Sequence, residues 1–381
     1  MRSHLPTVSS VCYQIGAFGG GWEPPHAEES KRGSRCAGKW IECWICGRGA
    51  SQFEFEAVAK FVLWGITSFF NPAGYKSRLT NYRLFRSRLN VPLAAVELSF
   101  TGKFELQDTD AEILIQISGE DVMWQKERLL NIALGALPTE CDIVAWVDCD
   151  VIFSSDDWPE RALRALKTSS IVQLFSERRN LVAGAVDDSL GLSSVEMKVL
   201  GAAYKFVTGT LRPEDLCMPG SLFRGLCTNG LAWASSRSLL QKHGFYDARI
   251  IGSGDKSIAC AAIGKFEYAE QAGDMNSHQR EHYRTWAYPF FADTRGTLGC
   301  VEGRIFHLWH GDSRDRQYEQ RHLNLRRFEF DPYKDIALDS NCVWRWNSDK
   351  PEMHEFMTRY FGLRREDGRT PNDRGEGDKL L

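Results

Sequence analysis

Three features of the chain predict an α/β fold with a mostly parallel, Rossmann-like central sheet flanked by helices. From Val58 onward strand-like and helix-like segments alternate. The strand-like segments include near-continuous apolar, β-branched and aromatic runs, as expected where both faces of a sheet are covered. Between them stand turn and cap signals such as Asn71-Pro72, Ser155-Asp156-Asp157 and Gly252-Ser253-Gly254.

Val62 to Phe70 reads as the first strand, closed by Asn71-Pro72. Tyr75 to Leu89 then carries apolar and basic residues at helical spacing. Val91 to Phe100 and Ala111 to Ile117 read as the second and third strands. Trp124 to Leu137 reads as an amphipathic helix turning Leu129, Leu130, Ile132 and Ala133 to the core. Ile143 to Phe153, IVAWVDCDVIF, reads as one buried strand interrupted by two carboxylates. Ser155-Asp156-Asp157 is expected to cap a helix over Pro159 to Lys167, before a strand from Ser170 to Phe175. Later, Ser235 to His243 reads as a capped helix ended by Gly244, Asp255 to Ala262 as an apolar helix, and Gly303 to Trp309 as the last strand.

The 381 residues are enough for one large domain. One is expected over residues 58–363, in two halves at 58–176 and 177–363. Residues 1–55 lack either periodicity and read as a disordered tail, as do the charged, Gly-rich residues 364–381. Apolar residues make up 43% and charged residues 25%, the balance of a folded soluble protein. With 47 basic and 50 acidic residues the net charge is -3, which argues against a nucleic-acid or anionic-membrane partner. The longest apolar stretch, Val58 to Phe70, includes Lys60 and is too short to span a bilayer, so a cytoplasmic protein is expected. Eleven scattered cysteines suggest reduced thiols. Cys43 and Cys46, with Cys36 and His26, lack the regular spacing of a structural zinc site.

Three constellations carry chemistry. Asp148 and Asp150 stand two apart in the strand reading, so both would face one side and converge on a hard cation, Mn²⁺ or Mg²⁺, bridging phosphate oxygens. His307 and His310 stand at a later strand end. His310 is favoured as a further metal ligand, with His307 close behind, and at least one of the two is expected to be structural. Arg314 and Arg316 follow and could pair with a diphosphate. In Gly252-Ser253-Gly254-Asp255, small residues let a ligand approach an acidic side chain that could equally be a helix cap.

The order of these segments, WVDCD at 146–150, NGLAWASSRSLLQKHGFYD at 229–247, IIGSGD at 250–255 and HLWHGDSRDRQY at 307–318, resembles the inverting GT-A glycosyltransferases. The helix segment KERLLN at 126–131 is similar to the R-x-x-N helix of their family 2 members. The resemblance spans roughly 60–330. It implies a GT-A fold and transfer of a hexose or N-acetylhexosamine from a nucleotide-diphosphate sugar, UDP-linked by preference, to a hydroxyl of a glycan or other acceptor. Asp150 would bind the cation, Asp148 the cation or the donor ribose, and His310 would complete the metal site. Arg128 and Asn131 would serve the donor, Asp255 would be the general base, and Asn229, Gly230, Trp233 and Gly254 would shape the acceptor side. Ser253 and Asp255-Lys256 depart from the paired acids usual in galactosyltransferase-like members.

Two alternatives compete. A haloacid-dehalogenase-like phosphatase also carries a strand-end D-x-D, but here Ile152 and Ala259 stand where its further motif residues belong. A non-catalytic carbohydrate-binding protein would use Trp233 and Trp309 for stacking without needing Asp148, Asp150, His310 and Asp255 together. A sugar-nucleotide pyrophosphorylase would need a Gly-rich loop on the first strand, which is missing.

Overall fold

The computed structural model describes residues 61–184, 195–212, 227–318 and 320–369. The expected tail at 1–55, with Cys36, Cys43, Cys46 and His26, lies outside the described residues.

A seven-stranded sheet forms the centre. It contains β1 (Val62–Phe70), β2 (Leu93–Ser99), β3 (Ile113–Ser118), β4 (Cys141–Val147), β6 (Ile171–Gln173), β9 (Ala232–Ser236) and β10 (Leu298–Cys300), in the order β10-β6-β9-β4-β1-β2-β3. All neighbours are parallel except at β9, which runs antiparallel to both β4 and β6. The sheet is therefore mostly parallel, as expected. Because side chains alternate across a strand, Val144 and Trp146 of β4 enter one apolar core while Ile143, Ala145 and Val147 enter another on the opposite face.

A second sheet has four strands, β5 (Val151–Phe153), β7 (Glu177–Leu181), β8 (Val195–Leu200) and β11 (Arg304–His307), in the order β5-β11-β7-β8. A hairpin of β12 (Ile336–Leu338) and β13 (Trp344–Trp346) follows and has no counterpart in the sequence reading. The helices α1 (Lys76–Arg88), α2 (Lys126–Ala136) and α3 (Trp158–Ala165) lie close to their expected positions. Beyond them come α4 (Ala202–Val207), α5 (Arg237–His243), α6 (Gly254–Ala262), α7 (Phe266–Ala272), α8 (Ser277–Thr294), α9 (Gln320–Arg326), α10 (Pro332–Asp335) and α11 (Pro351–Leu363). Leu129, Leu130, Ile132 and Ala133 of α2 are all buried in the core. The Ser236 hydroxyl accepts the Leu239 N–H at the start of α5, and Gly244 closes it at φ 63°. Asp157 does not cap α3 with its side chain; its carboxylate instead accepts from the Ser155 hydroxyl and from Arg161.

Two expectations are corrected here. The run IVAWVDCDVIF is not one strand: the chain leaves the central sheet after Val147 and enters the second sheet at Val151. The Asp148 N–H donates to the Leu231 carbonyl at 2.7 Å and the Asp150 carbonyl accepts from the Leu308 N–H at 2.9 Å, so Asp148-Cys149-Asp150 bridges the sheets. Residues 364–369 are not a frayed tail either, because Arg364 and Glu366 are buried and pair with each other, and Glu366 also pairs with Arg78 of α1 and with Arg316 in the turn after β11. Among the described residues five cysteines are free thiols. No helix among the described residues is long and apolar enough to cross a membrane.

Candidate active site

The crossing at 148–150 sends its two carboxylates to different partners. Asp148 turns toward the start of α2, where Lys126 Nζ lies 2.5 Å from Asp148 Oδ1 and 2.8 Å from Asp255 Oδ2. Asp255 sits in the first turn of α6, whose N-cap Ser253 takes a left-handed φ of 78°. One ammonium thus holds two carboxylates, and the Lys126 side chain keeps only 10% of its surface exposed. Burial disfavours the charged lysine, but Asp148, Asp255 and Glu127 outweigh it and hold its pKa well above the usual range.

Glu127, also at the start of α2, is buried against α6. A side chain on Gly254 would overlap it, since a Cβ there would stand 2.0 Å from Glu127 Oε1. Burial pushes Glu127 up to about 8, with Asp255 and Asp148 adding to the rise and Lys126 opposing it. Burial likewise raises Asp148, against the pull of Lys126.

Asp150 turns the other way, into the second sheet. Its Oδ1 lies 3.7 Å from His307 Nε2 and its Oδ2 lies 3.4 Å from His310 Nε2. The His310 Nδ1 faces the Leu308 carbonyl at 2.8 Å, an acceptor only, so that nitrogen carries the proton. His307 Nδ1 donates in the same way to Asn180 Oδ1 at 3.3 Å. Both histidines are partly buried, and desolvation holds them well below their usual pKa, His307 also by His310 and Arg178 and His310 by Arg316, so both rings are neutral. Two Nε2 lone pairs therefore face a carboxylate whose Oδ1 is buried without a hydrogen-bond partner. Burial and Asp148 push Asp150 up to about 7. Acceptor facing acceptor repels unless a cation or a proton lies between, and the three ligand atoms lie within 4.8 Å of one another. One carboxylate with two imidazoles, each oriented through its other nitrogen, fits a divalent metal such as Mn²⁺.

The sequence matches no family model and no curated protein. Among solved structures it is similar to the glucosyl-3-phosphoglycerate synthase of Mycobacterium tuberculosis in complex with Mn²⁺, UDP-glucose and phosphoglyceric acid, at 15% identity and a TM-score of 0.36, covering 76% of this chain and 87% of that one. It is also similar to S. aureus TarS residues 1–349, at 9% identity and a TM-score of 0.35 over 80% and 71% of the two chains. A third neighbour is a mannosyltransferase from Pyrobaculum calidifontis in complex with GDP-Man and Mn²⁺, at 15% identity and a TM-score of 0.34 over 70% and 61%. Scores at this level leave the chemistry to be read from the side chains.

Those side chains revise the expected site. Asp148 is engaged by Lys126 and stands outside the grouping of Asp150, His307 and His310, because the strand break points the two aspartates apart. Both histidines face Asp150. Arg128 and Asn131 do not open onto the site: Arg128 Nη1 and Asn131 Nδ2 both donate to Asp247 Oδ2 at 3.0 Å, and Asn131 also bonds the backbone of Phe245, fastening α2 to the segment before α6. Arg316 is buried behind His310, donating to the His310 carbonyl and pairing with Glu366. Arg314 is largely exposed and pairs with Asp312.

Trp233 belongs to the core. It is 1% exposed on β9 and stacks on Trp146 with ring centroids 6.4 Å apart, so its ring is out of reach of an acceptor. Its Nε1–H donates to the Asn229 carbonyl and fixes the turn that carries Asn229 and Gly230. Gly230 does meet the site, since a Cβ there would stand 3.1 Å from Asp255 Oδ2. Asn229 Oδ1 is buried without a partner.

Two cations escaped the sequence reading. Lys126 opens the very segment that drew attention to Arg128, but its neighbours in the chain gave no sign that α6 would bring Asp255 against it. Arg178, on β7 two residues before Asn180, donates from Nη1 to Thr228 Oγ1 at 3.2 Å, and its Nε is buried without a partner. Among the described residues no carboxylate forms an ion pair with Arg178. Burial lowers its pKa, partly offset by Tyr318, Cys227 and Asp150.

Proposed function

We propose that this chain is a metal-dependent, inverting glycosyltransferase that moves a hexose or N-acetylhexosamine from a nucleotide-diphosphate sugar, UDP-linked by preference, to an acceptor hydroxyl. The observation that carries the reading is the convergence of Asp150, His307 and His310 on one point, on a crossing whose other carboxylate, Asp148, shares Lys126 with Asp255 at the first turn of α6. Asp150, His307 and His310 would hold Mn²⁺ or Mg²⁺, which when bound supplies positive charge against the departing diphosphate.

The chain's own residues do the rest. Asp255 accepts the proton of the acceptor hydroxyl, and Lys126 fixes its carboxylate relative to Asp148. The missing side chain at Gly230 leaves the acceptor room to approach Asp255. Arg178, which pairs with no carboxylate among the described residues, offers a guanidinium for a phosphate, the role that Arg314 and Arg316 were expected to fill. A single displacement inverts the anomeric centre and needs no covalent enzyme nucleophile. A phosphatase of the D-x-D kind is disfavoured, because Asp148 is held by Lys126 and the metal-competent group contains two imidazoles.

The test is a panel of UDP-, GDP- and dTDP-sugars with Mn²⁺ or EDTA, reading thermal stabilisation and nucleotide release, with p-nitrophenyl phosphate alongside. Mn²⁺-dependent stabilisation and release with one donor class is expected. No response to any donor, or hydrolysis of the aryl phosphate alone, overturns the reading.

A further inference from the structure

Glu366 is 1% exposed and sits among three guanidinium groups. Its Oε2 accepts from Arg78 Nε at 2.6 Å, and its Oε1 accepts from Arg364 Nε at 2.6 Å and from Arg316 Nη1 at 3.3 Å. Those carboxylate contacts hold Glu366 well below the usual range in spite of its burial.

Each arginine reaches onward. Arg78, on α1, donates from Nη1 to the Phe70 carbonyl at the end of β1. Arg316 donates from Nη2 to the His310 carbonyl. The segment carrying Glu366 also lies directly on the turn after His310: Gly311 has φ 89°, and a Cβ there would stand 2.6 Å from the Arg365 carbonyl oxygen. Neighbouring contacts repeat the link, with Asn81 Nδ2 donating to the Trp309 carbonyl at 3.0 Å and Asp367 accepting the Lys76 and Ser77 N–H groups at 2.9 and 2.8 Å. The backbone that aims His310 at Asp150 is thus clasped from behind, and Glu366 is where the clasp closes.

We propose that Glu366 is a positioning residue of the metal site, acting through Arg316 on the His310 carbonyl; this rests on the assignment of Asp150, His307 and His310 as metal ligands. Its charge has a second effect. It offsets part of the charge of three clustered guanidinium groups beside a site that must accept a dication, so its loss leaves a more positive surrounding there. Geometry and field both favour metal binding when Glu366 is present.

The experiment titrates the full-length protein with Mn²⁺ alone, following free Mn²⁺ by electron paramagnetic resonance, with circular dichroism and thermal melts on the same samples. Glu366→Gln keeps the shape and removes the charge, and is expected to weaken Mn²⁺ binding at least tenfold at a temperature where the variant is folded. Glu366→Asp keeps the charge and should recover part of that loss. Arg316→Lys cannot hold Glu366 and the His310 carbonyl together, and should weaken Mn²⁺ binding even if Glu366→Gln does not fold. A merely structural role lowers the melting temperature and leaves the Mn²⁺ affinity of folded protein unchanged in all variants, which overturns the proposal. Failure of the unmodified protein to bind Mn²⁺ overturns the metal assignment first and this inference with it.

Discussion

Replacing Glu127 with glutamine should flatten the dependence of stability on pH. The carboxyl is buried at the start of α2 and pushed from 4.5 up to about 8, so it is mostly protonated at neutral pH. A group raised in the folded state contributes stability that is fully present below its unfolded pKa and is lost as pH rises through its folded pKa. The loss in the unmodified protein therefore runs from about pH 4.5 to about pH 8. At about 1.4 kcal/mol per tenfold change in proton activity, the rise bounds the effect at roughly 5 kcal/mol. Because Glu127 shares its field with Lys126, Asp148 and Asp255, an observed value below that bound, on the order of a few kcal/mol, is expected. The assay is urea unfolding of both proteins at pH 5.5, 7 and 8.5 in EDTA. Other raised groups such as Asp150 titrate in the same window, but they are common to both and cancel in the difference. Parallel stability curves would refute the burial argument, since they would mean that Glu127 ionises in the folded chain as it does in water.

Four further outcomes follow from the same geometry. Asp255→Asn should keep donor and metal affinity while turnover at saturating donor falls by about 10²–10⁴, the range for a general base, and near-wild-type turnover would return Asp255 to helix capping. His307→Ala and His310→Ala should weaken Mn²⁺ binding by similar factors, since both Nε2 atoms face Asp150; a loss confined to one variant, read by the same titration, would reduce the site to one histidine. Arg178→Gln should weaken binding of a UDP-type donor about tenfold or more while Mn²⁺ alone binds as before, and calorimetry separates the two. Trp233→Ala should cost about 3–5 kcal/mol of stability in denaturant unfolding, the range for emptying an aromatic site in a packed core, with acceptor affinity unchanged in the protein that remains folded.

Much of the architecture was legible in the residues. β1 and α1 fall within a residue of their expected limits because an apolar run, Asn71-Pro72 and helical spacing all act locally. Of the candidate site, Asp150, His307, His310 and Asp255 were picked out in the sequence, whereas Lys126, Arg178 and the arrangement of the whole were not. IVAWVDCDVIF carries no turn signal, so nothing in it marks the passage from one sheet to the other; the passage is set by pairing with β9 and β11, which are distant in the chain. Trp233 follows a Gly-containing turn as an acceptor-facing aromatic could, and only its stacking on Trp146 places it inside. Residues 364–369 are rich in charge, as solvated tails are, and their burial depends on Arg78 and Arg316 arriving from two other parts of the chain. Composition reports how many charges a segment has, whereas pairing across the fold decides whether they meet water.

The cap on α1 has a consequence for how the molecule comes into being. Tyr75 stands at the N-cap without capping the helix through its side chain, and the first N–H groups of the helix are satisfied by Asp367, 291 residues from Lys76. A nascent chain emerging N-terminus first makes this helix early and its cap late. The central sheet has all the strands it needs before residue 367 is synthesised, so the sheet can assemble while the start of α1 and the clasp behind His310 are still open. The clasp behind His310 can thus close only once that distant segment has been made, whereas every strand of the central sheet precedes it in the chain.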